Sequence, residues 1–355
     1  MRRFIFSFIP ALSIMAGIVF AFSSCNNNDD DKSGKNPALA RTFYVAGSEN
    51  SGGTAQPVVW VNGTAKNQGN DGFGGICNAV AIGGDNSLYA GVVSNDANSY
   101  VYKNGERLLT LEKSGSMCGL NSMALLGDVV YSCGYDETAP MQPSACVWKG
   151  SEKYFTAQES SNGVKVLPVN ENEIYMVANE YSSGKSKPAI YKNGSKLYTL
   201  PSADGIDTYA KDAFYINGDI YTVGEFSEYP PVNTVIVWKN NIEQYRITGA
   251  DGANCNAGAI YVNRPGNVFV GGQETNEDGE LIAKIWKDGN TYYELDGGAD
   301  RSNVTSITEY DGLIYSTGET HDWGGAHAII WQENAILYKM LPTGDDPVTK
   351  QLVIK

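Results

Sequence analysis

Histidine is nearly missing from this chain, with two copies in 355 residues. Both fall in one short segment, at His321 and His327, so imidazole-based acid–base or metal chemistry has a single place to occur. Positive charge is also scarce: 26 Lys and Arg stand against 40 Asp and Glu, a formal net charge of -14. A field of that sign repels phosphate backbones and anionic bilayers, so nucleic acid is not an expected partner. Six cysteines are present but no CxxC pair, so zinc is not suggested. G-x-S-x-G, the P-loop and the dinucleotide fingerprint are absent, which leaves no motif for serine-hydrolase, nucleotide or hydride chemistry. No catalytic group is assigned.

What is present begins with an address. Arg2 and Arg3 precede an apolar run from Phe4 to Phe22, interrupted by Pro10 and ending at Ser23, Ser24 and Cys25. The run is long enough to cross a bilayer, but small residues directly before a cysteine favour cleavage and make it a secretion signal. The segment Phe22-Ser23-Ser24-Cys25 resembles the lipobox of bacterial lipoproteins, in the loose form seen in Bacteroidetes. That resemblance implies that Cys25 becomes the acylated N-terminus, the only membrane contact expected. Asn26 to Asp31 are all Asn or Asp, too polar to order themselves. By the same resemblance, this acidic run implies export to the outer face of the outer membrane. The expected division is a signal peptide over 1–25, a polar tether over 26–40 and a folded domain over 41–355.

Within 41–355 a short apolar strand carrying an aromatic and then a small residue recurs at Tyr44, Tyr89, Tyr131, Tyr175, Tyr221, Phe269 and Tyr315, at intervals of 42 to 48 residues. A second aromatic follows each at a steady offset: Trp60, Tyr102, Trp148, Tyr191, Trp238, Trp286 and Trp331. Turn residues come next, among them Asn62-Gly63, Asn104-Gly105, Asn193-Gly194 and Asp288-Gly289, which supply the positive φ angles of a tight hairpin. Another turn, as at Asn217-Gly218 and Asp311-Gly312, separates the first two strands of a unit. Small four-stranded sheets with two apolar faces bury both by stacking around an axis. The predicted fold is therefore all-β: a seven-bladed β-propeller of four-stranded antiparallel blades, its repeat aromatics packed between blades. The chain enters at Arg41 already in the second-strand pattern, so Val348 to Ile354 is expected to pair there and close the ring. Six blades with a stray hairpin is the alternative.

Tyr44-Val45-Ala46-Gly47, Tyr102-Lys103-Asn104-Gly105 and Trp286-Lys287-Asp288-Gly289 resemble the "YVAG" strand and "WKNG" hairpin of poorly characterised bacterial propeller lipoproteins. The likeness spans nearly all of 41–355. It implies fold and location, and little about activity; the Kelch double-Gly and WD40 Trp-Asp signatures are not reproduced.

Candidate chemistry lies on the face carrying the connections from strand two to three and from blade to blade, which are expected to be long loops. Recurring aspartates there, Asp71, Asp204, Asp251, Asp300 and Asp345, read as turn residues, with calcium as the alternative cofactor. A second set, Glu49, Asp136, Glu180, Glu225, Glu274 and Glu319, follows the repeat and so reads as a solvated or turn-stabilising rim, not a catalytic pair. Of six Trp only Trp323 lies off the repeat, in a loop with His321, Asp322 and His327. An exposed indole beside polar groups suits stacking on a sugar ring or anchoring a protein. Tyr135, Tyr181, Phe226 and Tyr229 are candidates to extend that surface. If Tyr131 faces Trp148 across strands, Cys133 and Cys146 face each other as well and are a candidate disulfide. The expected function is a non-catalytic surface module that binds a glycan or a protein partner. A carbohydrate-active enzyme, glycosidase or lyase, and a structural subunit of an outer-membrane assembly are the alternatives.

Overall fold

A computed structural model describes residues 41–68, 72–139, 142–202, 205–228, 232–295, 300–341 and 343–355. Among these residues the only helical element is one 3-10 turn, Ala250–Gly252; everything else regular is strand. Cys25 and the expected signal and tether lie outside the described residues.

Four strands form one antiparallel unit. Gly75–Ile82, Leu88–Ser94, Ser99–Lys103 and Glu106–Thr110 make one such sheet, and Thr208–Ile216, Asp219–Glu228, Val232–Lys239 and Ile242–Ile247 make another. Where two units join, a strand is shared: the 19-residue Glu152–Asn170 pairs with Gln142–Lys149 through its first part and with Glu173–Ser182 through its second. The unit at the N-terminus takes its first strand from the other end of the chain. Asp345–Ile354 pairs antiparallel with Phe43–Ser51, setting Phe43 opposite Ile354 and Val45 opposite Leu352. Backbone bonds between Thr42 and Lys355, of 2.7 and 3.0 Å, extend that pairing to the chain end.

The repeat motif is explained residue by residue. In the hairpin turns both central residues have positive φ, for example Asn104 at 52° with Gly105 at 87° and Asp288 at 49° with Gly289 at 85°, as a type I′ turn requires. The first turn residue has a second task. Asn62 Oδ1 accepts Phe43 N–H at 2.9 Å, and Asn104, Asn193, Asn240 and Asp288 accept from Leu88, Ile174, Ile220 and Val268 at 2.8 to 3.0 Å. Each side chain thereby ties its turn to the start of strand two. The lysine before the turn lies opposite the strand-two aromatic: Tyr89 pairs with Lys103, Tyr131 with Lys149, Tyr175 with Lys192 and Tyr221 with Lys239. The ammonium groups sit 5.1 to 5.9 Å from those ring centroids.

That register overturns the expected disulfide. Tyr131 faces Lys149 and not Trp148, so Cys133 lies opposite Val147 and Cys146 opposite Gly134. Side chains alternate along a strand, so a slip of one position puts two residues on opposite faces. Cys133 packs with Val147 and Val166, whereas Cys146 packs with Trp148 and Leu120. Both are free, buried thiols.

Trp60, Trp148, Trp238, Trp286 and Trp331 are 0 to 1% exposed, and each packs against the preceding sheet in the chain or, for the first, the last. Trp238 meets Val177 and Ile190, Trp331 meets Ala283 and Ile285, and Trp60 meets Tyr315 and Ile330. Replacing one of these by Ala removes a filled inter-sheet space and costs about 3–5 kcal/mol.

Two series of β-bulges interrupt the ladders. Along the first strands of the units, Asn78, Asn121, Val164, Lys211, Gly258 and Lys350 are each skipped in the pairing with strand two. Along the fourth strands, Leu108, Tyr154, Leu197, Gln244, Tyr292 and Leu337 are skipped and left exposed.

Candidate functional site

Of the connections expected to be long loops, those from strand two to strand three are instead extended hairpins, while those between units, as from Thr110 to Cys118 and from Thr199 to Thr208, are loops. Glu173–Ser182 and Lys185–Lys192 are joined by two residues, and so are Leu313–Asp322 and Gly325–Gln332. Trp323 occupies the second of these turns and is fully exposed. Asp322 Oδ1 accepts the Gly324 N–H at 2.7 Å, and His327 Nε2 lies 3.4 Å from Asp322 Oδ2. The Gly324 bond, with a smaller contribution from His327, holds the Asp322 carboxyl below its ordinary range. His321 pairs with Ala326 while His327 pairs with Thr320. Strand alternation therefore puts His321 on one face of the hairpin and Asp322 with His327 on the other, so the three do not converge. Among the described residues no group of three or more His, Cys, Asp or Glu is placed to hold a metal ion, and this includes the aspartates considered for calcium; Asp71 and Asp204 lie outside the description.

The other aromatic candidates do not assemble with Trp323 into one described surface. Phe226 is 3% exposed and belongs to the core cluster with Trp238, so it is packing and not a contact surface. Tyr135 is half-buried with its ring over the bare Cα of Gly119, where a Cβ would approach within 2.2 Å. Desolvation there raises its phenol pKa. Tyr181 is partly exposed on a different hairpin. Tyr229 lies outside the described residues.

The carboxylates that follow the repeat are not a solvated rim. Glu49, Asp136, Glu180, Glu274 and Glu319 are buried, and Glu225 is largely so. Several grip the backbone that enters a unit: Glu49 accepts from Thr343 N, Thr343 Oγ1 and Gly344 N at 2.7 to 3.0 Å, and from Trp60 Nε1 at 3.1 Å. Asp136 accepts the Ser114 N–H at 2.9 Å, and Glu274 the Ala250 N–H at 3.1 Å. The turn-stabilising half of the expectation thus stands, and the solvated half is corrected. A carboxylate accepting several N–H groups is satisfied in a buried place where an apolar side chain would leave those donors bare.

The site that sequence reasoning missed is axial. A cavity of ≈ 520 Å³ is lined by first-strand residues, and its wall includes the bulged positions Asn78, Asn121, Val164, Lys211, Gly258 and Lys350. A bulge inserts one unpaired residue and re-aims its side chain, a device that recurs beside binding sites. Here one bulge in strand after strand turns a residue toward the same hollow. Further hydrogen-bonding groups come from Ser122, Thr305, Ser306 and Gln351. A second hollow of ≈ 340 Å³, more apolar, shares Lys165, Asp212, Ser306 and Gln351 with the first and continues toward Leu167, Phe214 and Tyr261. The two adjoin along the first strands, the polar one, hereafter the mouth, lying toward the starts of those strands.

The wall groups are fixed by their neighbours. Asn78 Nδ2 donates to Leu120 O at 2.8 Å and Asn121 Nδ2 to Gly163 O at 2.8 Å, each bracing the next strand. Asp212 carries Lys165 at 2.8 Å on one oxygen and the Ile260 N–H at 3.1 Å on the other. Gln351 Oε1 accepts the Val80 N–H at 3.0 Å. Close backbone carbonyls also explain the small residue of the repeat. A Cβ on Gly134 would lie 1.9 Å from Gly119 O, and one on Gly318 1.8 Å from Asn303 O. Gly47, Gly224 and Gly272 meet the carbonyls of Val348, Tyr209 and Asn256 in the same way. The glycine of strand two makes room for the carbonyl that crosses it from the neighbouring backbone.

No protein-family model and no curated protein sequence matches this chain. Solved structures do match it. The WD40 β-propeller domain of Doa1 superposes with a TM-score of 0.50 at 15% identity, covering 82% of this chain and 89% of that one. The periplasmic gluconolactonase PpgL of Pseudomonas aeruginosa gives 0.52 at 11% identity, covering 89% and 99%. Puromycin hydrolase gives 0.59 at 9% identity over 87% of this chain, which spans only 53% of that structure. The chain therefore has the β-propeller type of fold. At such identities the likeness reaches the fold and stops short of the chemistry.

Proposed function

We propose that this chain is a lipid-anchored binding module of the bacterial outer surface, a seven-bladed propeller that seats a glycan at its axial mouth without transforming it. The blade count follows from seven repeats in the sequence, and the pairing of Asp345–Ile354 with Phe43–Ser51 supports closure of the ring. The anchor and the outward location rest on Cys25 and the acidic tract after it. One observation carries the binding reading: the bulged first-strand residues that together face the axial cavity. Amides and hydroxyls projecting from a rigid wall are the groups that recognise sugar hydroxyls. Asp212 supports a non-catalytic role, because it is the sole carboxylate among the described residues of the mouth and both its oxygens are engaged in the wall. Glycoside hydrolysis ordinarily needs two acids at a fixed separation.

A glycan array with the full chain, followed by calorimetry on hits, tests this. Binding that disappears in Ile76→Trp, which fills the mouth from its wall, with an unchanged melting temperature, is the expected result. Binding lost in Trp323→Ala but kept in Ile76→Trp would move the site to the hairpin tip, and release of shorter saccharides would make the protein an enzyme; either overturns the reading.

A further inference from the structure

We infer that the axial mouth selects a saccharide carrying several negative charges, its anionic groups carboxylate or sulfate. This rests on the mouth being the ligand site. Three lysines, Lys165, Lys211 and Lys350, line the cavity against one acid, Asp212. Lys165 is neutralised by Asp212 at 2.8 Å and Lys211 by Glu225 at 2.6 Å. Lys350 is exposed, and among the described residues it has no carboxylate partner.

A side hollow of ≈ 220 Å³ opens from the mouth, sharing Ala257, Gly258 and Thr305 with it, and is lined by Arg301 together with Asn256, Gln273 and Asn303. Arg301 is exposed and likewise without a carboxylate partner among the described residues. Mouth and annex thus present two uncompensated cations on either side of Gly258 and Thr305. They do so in a chain whose formal net charge is -14.

Placement and not composition makes this a site. Acids outnumber bases by 14 over the whole sequence, so a surface patch drawn without preference would be negative. A concave wall also concentrates field lines and weakens solvent screening, so charges there act on a ligand more strongly than on an open surface. The guanidinium of Arg301 offers a planar fork suited to a carboxylate or sulfate, while Lys350 supplies a mobile point charge. A ligand that satisfies both reaches into both of these adjoining hollows. An oligomer with acid groups on successive residues does, its hydroxyls meeting Asn78, Asn121, Ser306 and Gln351.

Calorimetry on the full chain with a galacturonate oligomer, a sulfated dextran oligomer and a neutral dextran oligomer of equal length tests the inference. At least one acidic oligomer should bind, tenfold or more tighter than the neutral one. Lys350→Gln and Arg301→Gln should each weaken it about tenfold with no change in melting temperature, since neither side chain has a described ionic partner to lose. Glu225→Gln, which frees Lys211, should tighten it. Galacturonate preferred over sulfate assigns the fork to carboxylate, and the reverse assigns it to sulfate. Equal or better binding of the neutral oligomer, abolished by Ile76→Trp, overturns the charge selection while leaving the mouth as the site. Acidic binding indifferent to both Gln variants overturns it as well, and no binding by any oligomer removes the glycan reading itself.

Discussion

Single residues of the repeat have separable physical duties, and two of them lead to direct tests. The strand-two glycine is required where a neighbouring backbone carbonyl crosses: Gly318→Ala places a methyl 1.8 Å from Asn303 O. Backbone must yield there, so the variant should lose roughly 2–4 kcal/mol by urea titration, more than Ala at an exposed turn such as Gly312 loses through its positive φ. The cysteines make the second case. Burial pushes Cys77 and Cys255 up to about 12, and raises Cys118, Cys133 and Cys146 as well. Thiolate is the reactive form, so these five should resist iodoacetamide at neutral pH and label together in denaturant, as mass spectrometry would count. A native protein that labels at Cys133 or Cys146 would contradict the burial. The aromatic positions of the repeat were legible in the sequence because only packing repeats so faithfully. Phe226 was misjudged for a related reason: its place near a strand end looks like a loop, and only the adjoining sheet shows that it is covered.

At the scale of strands and sheets, the tail strand is the element most easily tested. Removing residues 345–355 bares the ladder of Phe43–Ser51, strips Glu49 of the strand that its partners Thr343 and Gly344 lead into, and exposes Phe43 and Val45. The truncated chain should aggregate on size-exclusion chromatography or melt with two transitions by circular dichroism; a monodisperse product melting once at the original temperature would show that the pairing is dispensable. Hairpin turns were readable in advance because Asn-Gly and Asp-Gly demand positive φ. Registers were not, since a single bulge or a one-residue offset leaves no mark on composition; hence the misplaced partner of Cys146. The axial site was hidden for the same reason. Polar residues interrupting apolar first strands, Asn78, Asn121, Lys211 and Lys350, were one trace of it, and the glycines beside these four bulges, Gly91, Gly134, Gly224 and Gly47, a second.

For the molecule as a whole, acid should be the weak side. Asp85 is held to about 2 by the Ser87 N–H and hydroxyl and by Lys103, while Lys239 lowers Asp219 and Lys192 lowers Glu173. Each carboxyl is more acidic folded than in the open chain, where such groups titrate near 4. Their contribution is therefore complete above about pH 4 and drains away as pH falls toward 2. Melting temperatures followed by circular dichroism should be level from pH 5 to 8 and fall below pH 4. A fall beginning near pH 6 would contradict this account.

The skipped residues on the fourth strands have a consequence for how one copy of the chain can meet another. An unbroken outer strand would offer another copy a row of free amides and carbonyls to zip onto. Leu108, Tyr154, Leu197, Tyr292 and Leu337 break that row one sheet after another, so a collision finds a side chain where the next rung should be. A skipped residue in each of these outer strands thus works against edge-to-edge pairing of one copy with another.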